Sequence, residues 1–265
     1  MQLKMDKKPV FDQIERIQAY LKMKVAAAEG VTVPPFTIYF DPDDPAASLA
    51  MPDVRSCEAV DTAVLQNVHA AFSQRSLPPR VQYLDAYNPT LAAALRHAGY
   101  TQVEEAPVMI ATPDTLRPAP QMPGLTTLIL SGDSSLADVQ EGLRQTSELG
   151  FDPFAARILH TDPDQFRRSF ITGRAFILRL NREPVTAGMF TEILDGLTEI
   201  AGITTVTTQR GRGFGAYLTG YMAQYAFSRH VDAVFLLAVP IGTESIYRRV
   251  GFKPCATLLT FELSQ

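Results

Sequence analysis

The segment Thr207-Thr208-Gln209-Arg210-Gly211-Arg212-Gly213-Phe214-Gly215-Ala216 constrains this chain more than any other, because it sets two arginines and three glycines between a β-branched run and an amphipathic repeat. Residues 197–206 are rich in Ile, Thr and Val, which favour a pleated strand. Beyond the glycines, Phe214, Leu218, Tyr221, Met222 and Tyr225 recur at helical spacing, which predicts a helix to about Arg229. Glycine allows positive φ and close approach of the backbone to a ligand. The first-turn amides of a helix point outward at the positive end of its dipole. Strand, glycine turn and helix in this order predict an anion site that suits a pyrophosphate.

The same residues satisfy a dinucleotide-binding spacing, Gly211-x-Gly213-x-x-Ala216, with Asp232 21 residues after Gly211. That reading fails on two counts. A ribose-binding acid belongs at the carboxyl end of the second strand, whereas Asp232 precedes the apolar run 233–239. About fifty residues follow the glycines, too few for the remaining units of a doubly wound sheet.

The order strand, Arg210-x-x-Gly213-x-Gly215, helix resembles the signature of the GCN5-related N-acetyltransferases: Arg or Gln, two residues, Gly, one residue, Gly or Ala. A second fingerprint follows at the expected distance. After the strand 233–239, residues 240–252 carry Tyr247 four residues before Gly251-Phe252, as in the short helix of that family. The resemblance implies an α+β fold of this family for the carboxyl-terminal half. It also implies acetyl-CoA as cosubstrate, with no metal, and transfer of its acetyl group to a primary amine by direct attack in a ternary complex. One departure stands out: relatives often have Pro-Glu just before the arginine motif, where this chain has Thr207-Thr208-Gln209.

Each chemical requirement of such a transfer finds a candidate. An amine with an ordinary pKa near 10.4 is about one part in a thousand neutral at pH 7, so a base is needed. Glu199 stands among Ile, Ala and Thr eleven residues before Arg210, where many relatives carry a glutamate base. Simple alternation places Glu199, Ala201, Ile203 and Thr205 on one face of the strand. The resemblance implies that the Ile203 N–H polarises the acetyl oxygen, that Thr205 or Val206 holds the pantetheine arm, and that Tyr247 protonates the departing thiolate. Gly211, Gly213, Gly215 and Ala216 would present backbone to the diphosphate, with charge-assisted bonds from Arg210 and Arg212. Two rival readings share this site: a coenzyme A-binding regulator without turnover, and an acyltransferase for a longer acyl-CoA.

Composition narrows the partners. Net charge is −4, with 24 basic against 28 acidic residues, so no broad positive field favours nucleic acid or an anionic membrane. A small-molecule or peptide amine is the expected acceptor, and a homodimer is common for the fold. Cys57 and Cys255 form no Cys-x-x-Cys pair, and His69, His97, His160 and His230 show no metal-ligand spacing. The amino terminus lacks the apolar core of a secretory signal and no apolar run nears the roughly 20 residues of a membrane span, which fits a reducing cytoplasm.

At 265 residues with 46% hydrophobic content, the chain has material for two cores. Residues 10–29 read as a helix closed by Gly30, 37–40 and 47–51 as a strand pair, 61–72 as a helix, and 80–84 as a strand. Asn88-Pro89 opens a helix that Gly99 ends, before a strand at 106–111. Arg96-His97-Ala98-Gly99-Tyr100 echoes Arg248-Arg249-Val250-Gly251-Phe252, a weak internal repeat. The first half has Ser73-Gln74-Arg75-Ser76 where a cofactor turn needs glycines, so it reads as a degenerate copy without a pyrophosphate cradle. Prolines at 113, 118, 120 and 123 give 112–124 the composition of an extended linker. The expected domains are 1–118, the degenerate half, and 119–265, the acetyltransferase half. In the second, 125–130 reads as a strand, Ser134 or Ser135 as the cap of a helix to about Leu149, and 174–180 with 185–193 as a hairpin. A further helix near 165–171 lies within the loops at 151–174 expected to read the acceptor.

Overall fold

The computed structural model describes residues 10–25, 29–53, 60–118, 122–141, 174–240 and 242–263. The chain divides into two compact units: Met1–Val108 with Cys255–Gln265, and Met109–Pro254. This division departs from two contiguous halves, because the last strand of the chain folds with the first unit.

Unit 1 starts with α1 (Val10–Val25), whose Ile14, Ile17, Tyr20 and Leu21 are buried. Gln18, also buried, accepts a hydrogen bond at Oε1 from the Leu84 amide (3.2 Å). The expected helix is cut short. Residues 29–33 alternate well enough to form β1 (Glu29–Val33), so Gly30 lies in a strand. β1 pairs antiparallel with β2 (Phe36–Phe40), and β2 with β3 (Leu49–Pro52). α2 (Thr62–Ser73) leads into β4 (Arg80–Leu84), which is parallel to β3 at Ala50 and Val81. α3 (Leu91–His97) and β5 (Thr101–Ala111) follow. Phe36, Ile38, Phe72, Val81, Tyr83 and Leu95 form the core, joined by Leu259 and Phe261 of β11 (Lys253–Glu262). β11 pairs antiparallel with β4 from Leu258↔Leu84 to Glu262↔Arg80.

Two buried tyrosines of this core, Tyr83 and Tyr100, have hydroxyls without a hydrogen-bond partner, and burial pushes both pKa values up to about 12. A raised phenol pKa means that the unfolded chain releases its protons first, near pH 10, so stability is full below that pH and is lost as pH rises toward 12. An orphaned buried hydroxyl costs about 1 to 3 kcal/mol. Tyr100→Phe should therefore leave unit 1 as stable or up to about 1 kcal/mol more stable at neutral pH. It should also flatten the decline above pH 10, both readable from urea unfolding at a series of pH values.

Unit 2 holds β6 (Leu125–Leu130), β7 (Arg174–Leu180), β8 (Glu183–Leu194), β9 (Leu197–Thr205) and β10 (Ala233–Leu237) in that order, with the end of β5 beside β10. β6 to β9 are antiparallel neighbours, whereas β10 runs parallel to β9. α4 (Phe214–Phe227) crosses one face, and its Phe214, Leu218 and Met222 pack with Phe176, Phe190, Ile200 and Leu236. α5 (Glu244–Arg249) adds Tyr247 to the same core. Of the two serines at the next helix start, Ser135 is the cap: its Oγ accepts from the Asp138 amide (3.1 Å). The remainder of that helix and the helix near 165–171 lie outside the described residues.

The proline-rich stretch after β5 is only partly a linker. Leu116 and Met122 pack on the unit 2 core, the Arg117 amide donates to the Val250 carbonyl (3.1 Å), and a side chain at Gly251 would run into the Thr115 carbonyl.

The internal repeat is real in hydrogen-bond terms. Gly99 and Gly251 both have positive φ, 89° and 102°. Tyr100 donates to Leu95 (3.0 Å) as Phe252 does to Tyr247 (3.1 Å), the helix-ending pattern that a left-handed glycine permits. Each half thus sends a strand out of an identical turn, β5 from the first and β11 from the second. Ser73-Gln74-Arg75-Ser76, expected at the cofactor position, instead closes α2 at its C-terminal end. The residue matching the start of α4 is Asp61, whose carboxylate accepts from the Val64 amide (2.9 Å) and so fills the helix N-terminus with the protein's own anion.

Candidate functional site

The glycine turn has the geometry its composition demands. A single 3-10 turn, Thr207–Gln209, leads to Gly211 and Gly213, with φ of 75° and 87°. Both have open space where a side chain would stand. Gly213 is the N-cap of α4, and lacking a side chain it leaves the amides of Phe214, Gly215 and Ala216 uncapped. Gly215 lies against β9, since a Cβ there would sit 3.5 Å from Thr205 Oγ1 and 3.7 Å from Ile203 Cγ2. These bare donors at a dipole's positive end fit a diphosphate.

The arginines tie the turn together. Arg210 Nε donates to the Thr205 carbonyl (3.1 Å), leaving the rest of its guanidinium for a ligand. Arg212 donates to the Gln209 side chain and stacks over Phe214, 5.1 Å from its centroid. Val206 is engaged at both backbone groups, its N–H to Val185 (3.0 Å) and its carbonyl from Gln209 (2.9 Å). Thr205 Oγ1 lies 2.9 Å from Thr186 Oγ1.

β9 runs on beyond its pairing with β10. Its parallel register with β10 covers Leu197↔Ala233, Thr198↔Val234 and Glu199↔Phe235, while β9 continues to Thr205. On the other side a bulge interrupts the ladder. Ala201 faces Met189 and Thr204 faces Ala187, so Gly202 and Ile203 share the single partner Gly188. Gly202 takes φ of 64°, a conformation that glycine adopts without strain. Such a bulge leaves one of the two residues without a ladder partner of its own.

The bulge also corrects the alternation read from sequence. One extra residue flips everything after it: Ile203 and Thr205 face α4, as Ile200 does. Glu199 and Ala201 face the other way. Glu199 is 3% exposed and paired in register with Phe235. Local strand periodicity could not reveal this, although Gly202 between two β-branched stretches was a readable sign of a bulge.

Tyr247 is 7% exposed, on α5, with its ring 6.4 Å from that of Phe252 in an edge-on arrangement. Burial raises its pKa, so the phenol keeps its proton through the neutral and mildly alkaline range. Its match in the other half is Leu95, which has no proton to give. Among the described residues no group of three or more His, Cys, Asp or Glu is placed to hold a metal, and no helix is long and apolar enough to cross a membrane. Cys255 is a free thiol that burial pushes up to about 12, and Cys57 lies outside the described residues. So do all of the expected acceptor-reading loops except Arg174.

Solved structures share this architecture along nearly the whole chain. A GCN5-related N-acetyltransferase from Kribbella flavida matches with TM-score 0.75 at 25% identity, covering 95% of this chain and 96% of that one. A tandem GNAT protein from the clavulanic acid biosynthesis pathway matches with TM-score 0.62 at 13% identity, covering 96% of each. A GCN5-related N-acetyltransferase from Sphaerobacter thermophilus matches with TM-score 0.61 at 16% identity, covering 97% of this chain and 93% of that one. No family model and no curated protein matches the sequence. By its fold the chain is a two-unit protein of the GCN5-related N-acetyltransferase superfamily, of α+β class. That fold implies use of an acyl-CoA, and the residues of the α4 turn fit one.

Proposed function

We propose that the protein is an N-acetyltransferase that moves the acetyl group of acetyl-CoA to a primary amine, with all of its reacting groups in unit 2. The observation that carries this is the uncapped glycine start of α4 beside the opening between β9 and β10. Acetyl-CoA, when bound, supplies the activated thioester carbonyl. The first-turn amides of α4, with Arg210 and Arg212, hold the diphosphate. The Ile203 N–H, at the bulge, faces the negative charge that develops on the acetyl oxygen, a donor of a kind worth about 3 to 4 kcal/mol. Glu199 takes the proton of the attacking amine, and Tyr247, protonated at neutral pH, returns one to the thiolate. The amine nitrogen bonds directly to the acetyl carbon as the carbon–sulfur bond breaks, so acetylated amine and free coenzyme A are the products.

Glu199→Gln and Tyr247→Phe should each lower kcat about a hundredfold while leaving acetyl-CoA affinity within about twofold. Thiol release with an amine panel and titration calorimetry measure the two quantities. Binding of acetyl-CoA without acetylation of any amine by the unmutated protein would favour a regulator. Faster turnover of a longer acyl-CoA would change the donor and keep the chemistry.

A further inference from the structure

Two threonines stand beneath the start of α4, and the mechanism above gives their hydroxyls no work; the role drawn for them rests on the reading of that turn as an acetyl-CoA site. Thr186 of β8 and Thr205 of β9 are paired in register, with Oγ1 atoms 2.9 Å apart. Thr186 is fully buried, whereas Thr205 is partly accessible. Thr205 Oγ1 also lies 3.5 Å from the place that a Gly215 side chain would occupy, so it borders the space over the first turn of α4. Stability alone does not call for such a pair. Two valines would fill the same shape and bury no polar atom, and replacing both partners in that way is close to neutral.

Counting hydrogens fixes the direction of the bond. Each hydroxyl carries one hydrogen, and the bond between the two oxygens uses one of them. Were Thr205 the donor, the Thr186 hydrogen would need another acceptor, and among the described residues Thr186 Oγ1 has no hydrogen-bond partner besides Thr205. A buried donor without an acceptor is costly. Thr186 therefore donates, and the hydrogen of Thr205 is left over at the accessible end of the pair. Thr205 has a second tie to the same turn, since its carbonyl accepts from Arg210 Nε (3.1 Å). We propose that Thr186 is a positioning residue, which turns the Thr205 hydroxyl outward as a donor to the diphosphate of acetyl-CoA. That donor joins the first-turn amides of α4 and the guanidinium of Arg210. Thr186 itself touches no ligand.

The test is titration calorimetry and steady-state kinetics with acetyl-CoA on the full-length protein. A hydrogen bond to a charged group is commonly worth about tenfold or more, so Thr205→Val should weaken acetyl-CoA binding at least about tenfold. Thr186→Val should weaken it about fivefold and raise the acetyl-CoA KM to match, with kcat within about twofold. Thr186→Ser, which keeps the hydroxyl, should bind within about twofold of the parent. In the Thr205→Val background, Thr186→Val should cost less than about twofold more, because it then has no donor left to aim. That double variant buries no hydroxyl, so it supplies the binding loss in folded protein even if Thr205→Val alone is too unstable to assay. Undiminished affinity in Thr186→Val, an equal loss in Thr186→Ser, or a further fivefold loss in the double variant would overturn the role of Thr186 and leave acetyl-CoA at the turn. Failure of the unmutated protein to bind acetyl-CoA would overturn both.

Discussion

Removal of residues 255–265 is expected to unfold unit 1 and leave acetyl-CoA binding in place. β11 supplies the strand beside β4, with five paired positions from Leu258 to Glu262, and buries Leu258, Leu259 and Phe261. Three such side chains are worth roughly 5 to 9 kcal/mol of burial, a loss of the same size as the roughly 5 to 15 kcal/mol that holds a domain folded. It also bares the Tyr83 ring, stacked on Phe261 at 6.3 Å. Glu199, the α4 turn and Tyr247 all lie in unit 2. Limited proteolysis of the truncated chain should cut freely within residues 1–108, while calorimetry with acetyl-CoA returns an affinity within a few fold of the intact protein. Survival of unit 1, or loss of acetyl-CoA binding in parallel with it, would show that β11 does not belong to unit 1 in this way.

The return of β11 to unit 1 explains why the compact units differ from a division at 118 and 119. The two Gly-aromatic turns, at Gly99 and Gly251, launch strands that look alike locally, yet the second of these strands, β11, pairs with β4 and folds with unit 1. No residue of β11 encodes which unit it must join. Strand choice is settled by long-range pairing, which leaves no local periodicity. The α4 turn was legible for the opposite reason: glycines at positive φ, a missing cap and flanking arginines are all local requirements, and each is written in a run of ten residues. The faces of β9 sit between these cases. Alternation was sound up to Ala201 and failed at Gly202, because a bulge shifts the count by one.

Gly215→Asp separates the binding role of the α4 turn from its structural one. Gly215 has ordinary helical backbone, and an added Cβ would meet Thr205 Oγ1 and Ile203 Cγ2 at distances of normal contact, 3.5 and 3.7 Å. A carboxylate in a first helical turn is favourable by about 0.3 to 1 kcal/mol, and replacing glycine inside a helix gains a few tenths more. The variant should therefore fold at least as stably as the parent. Its charge, however, would stand among the amides that receive the diphosphate. Like charges about 4 Å apart at a protein surface repel by about 4 kcal/mol, close to a thousandfold in affinity. Asp61 at the start of α2 is the natural precedent, since there the protein has already placed its own carboxylate on the helix amides. Calorimetry should find acetyl-CoA affinity reduced at least a hundredfold, with an unchanged or raised urea midpoint. Undiminished binding would move the carrier's diphosphate away from α4, and the roles given to Ile203, Glu199 and Tyr247 would have to be redrawn with it.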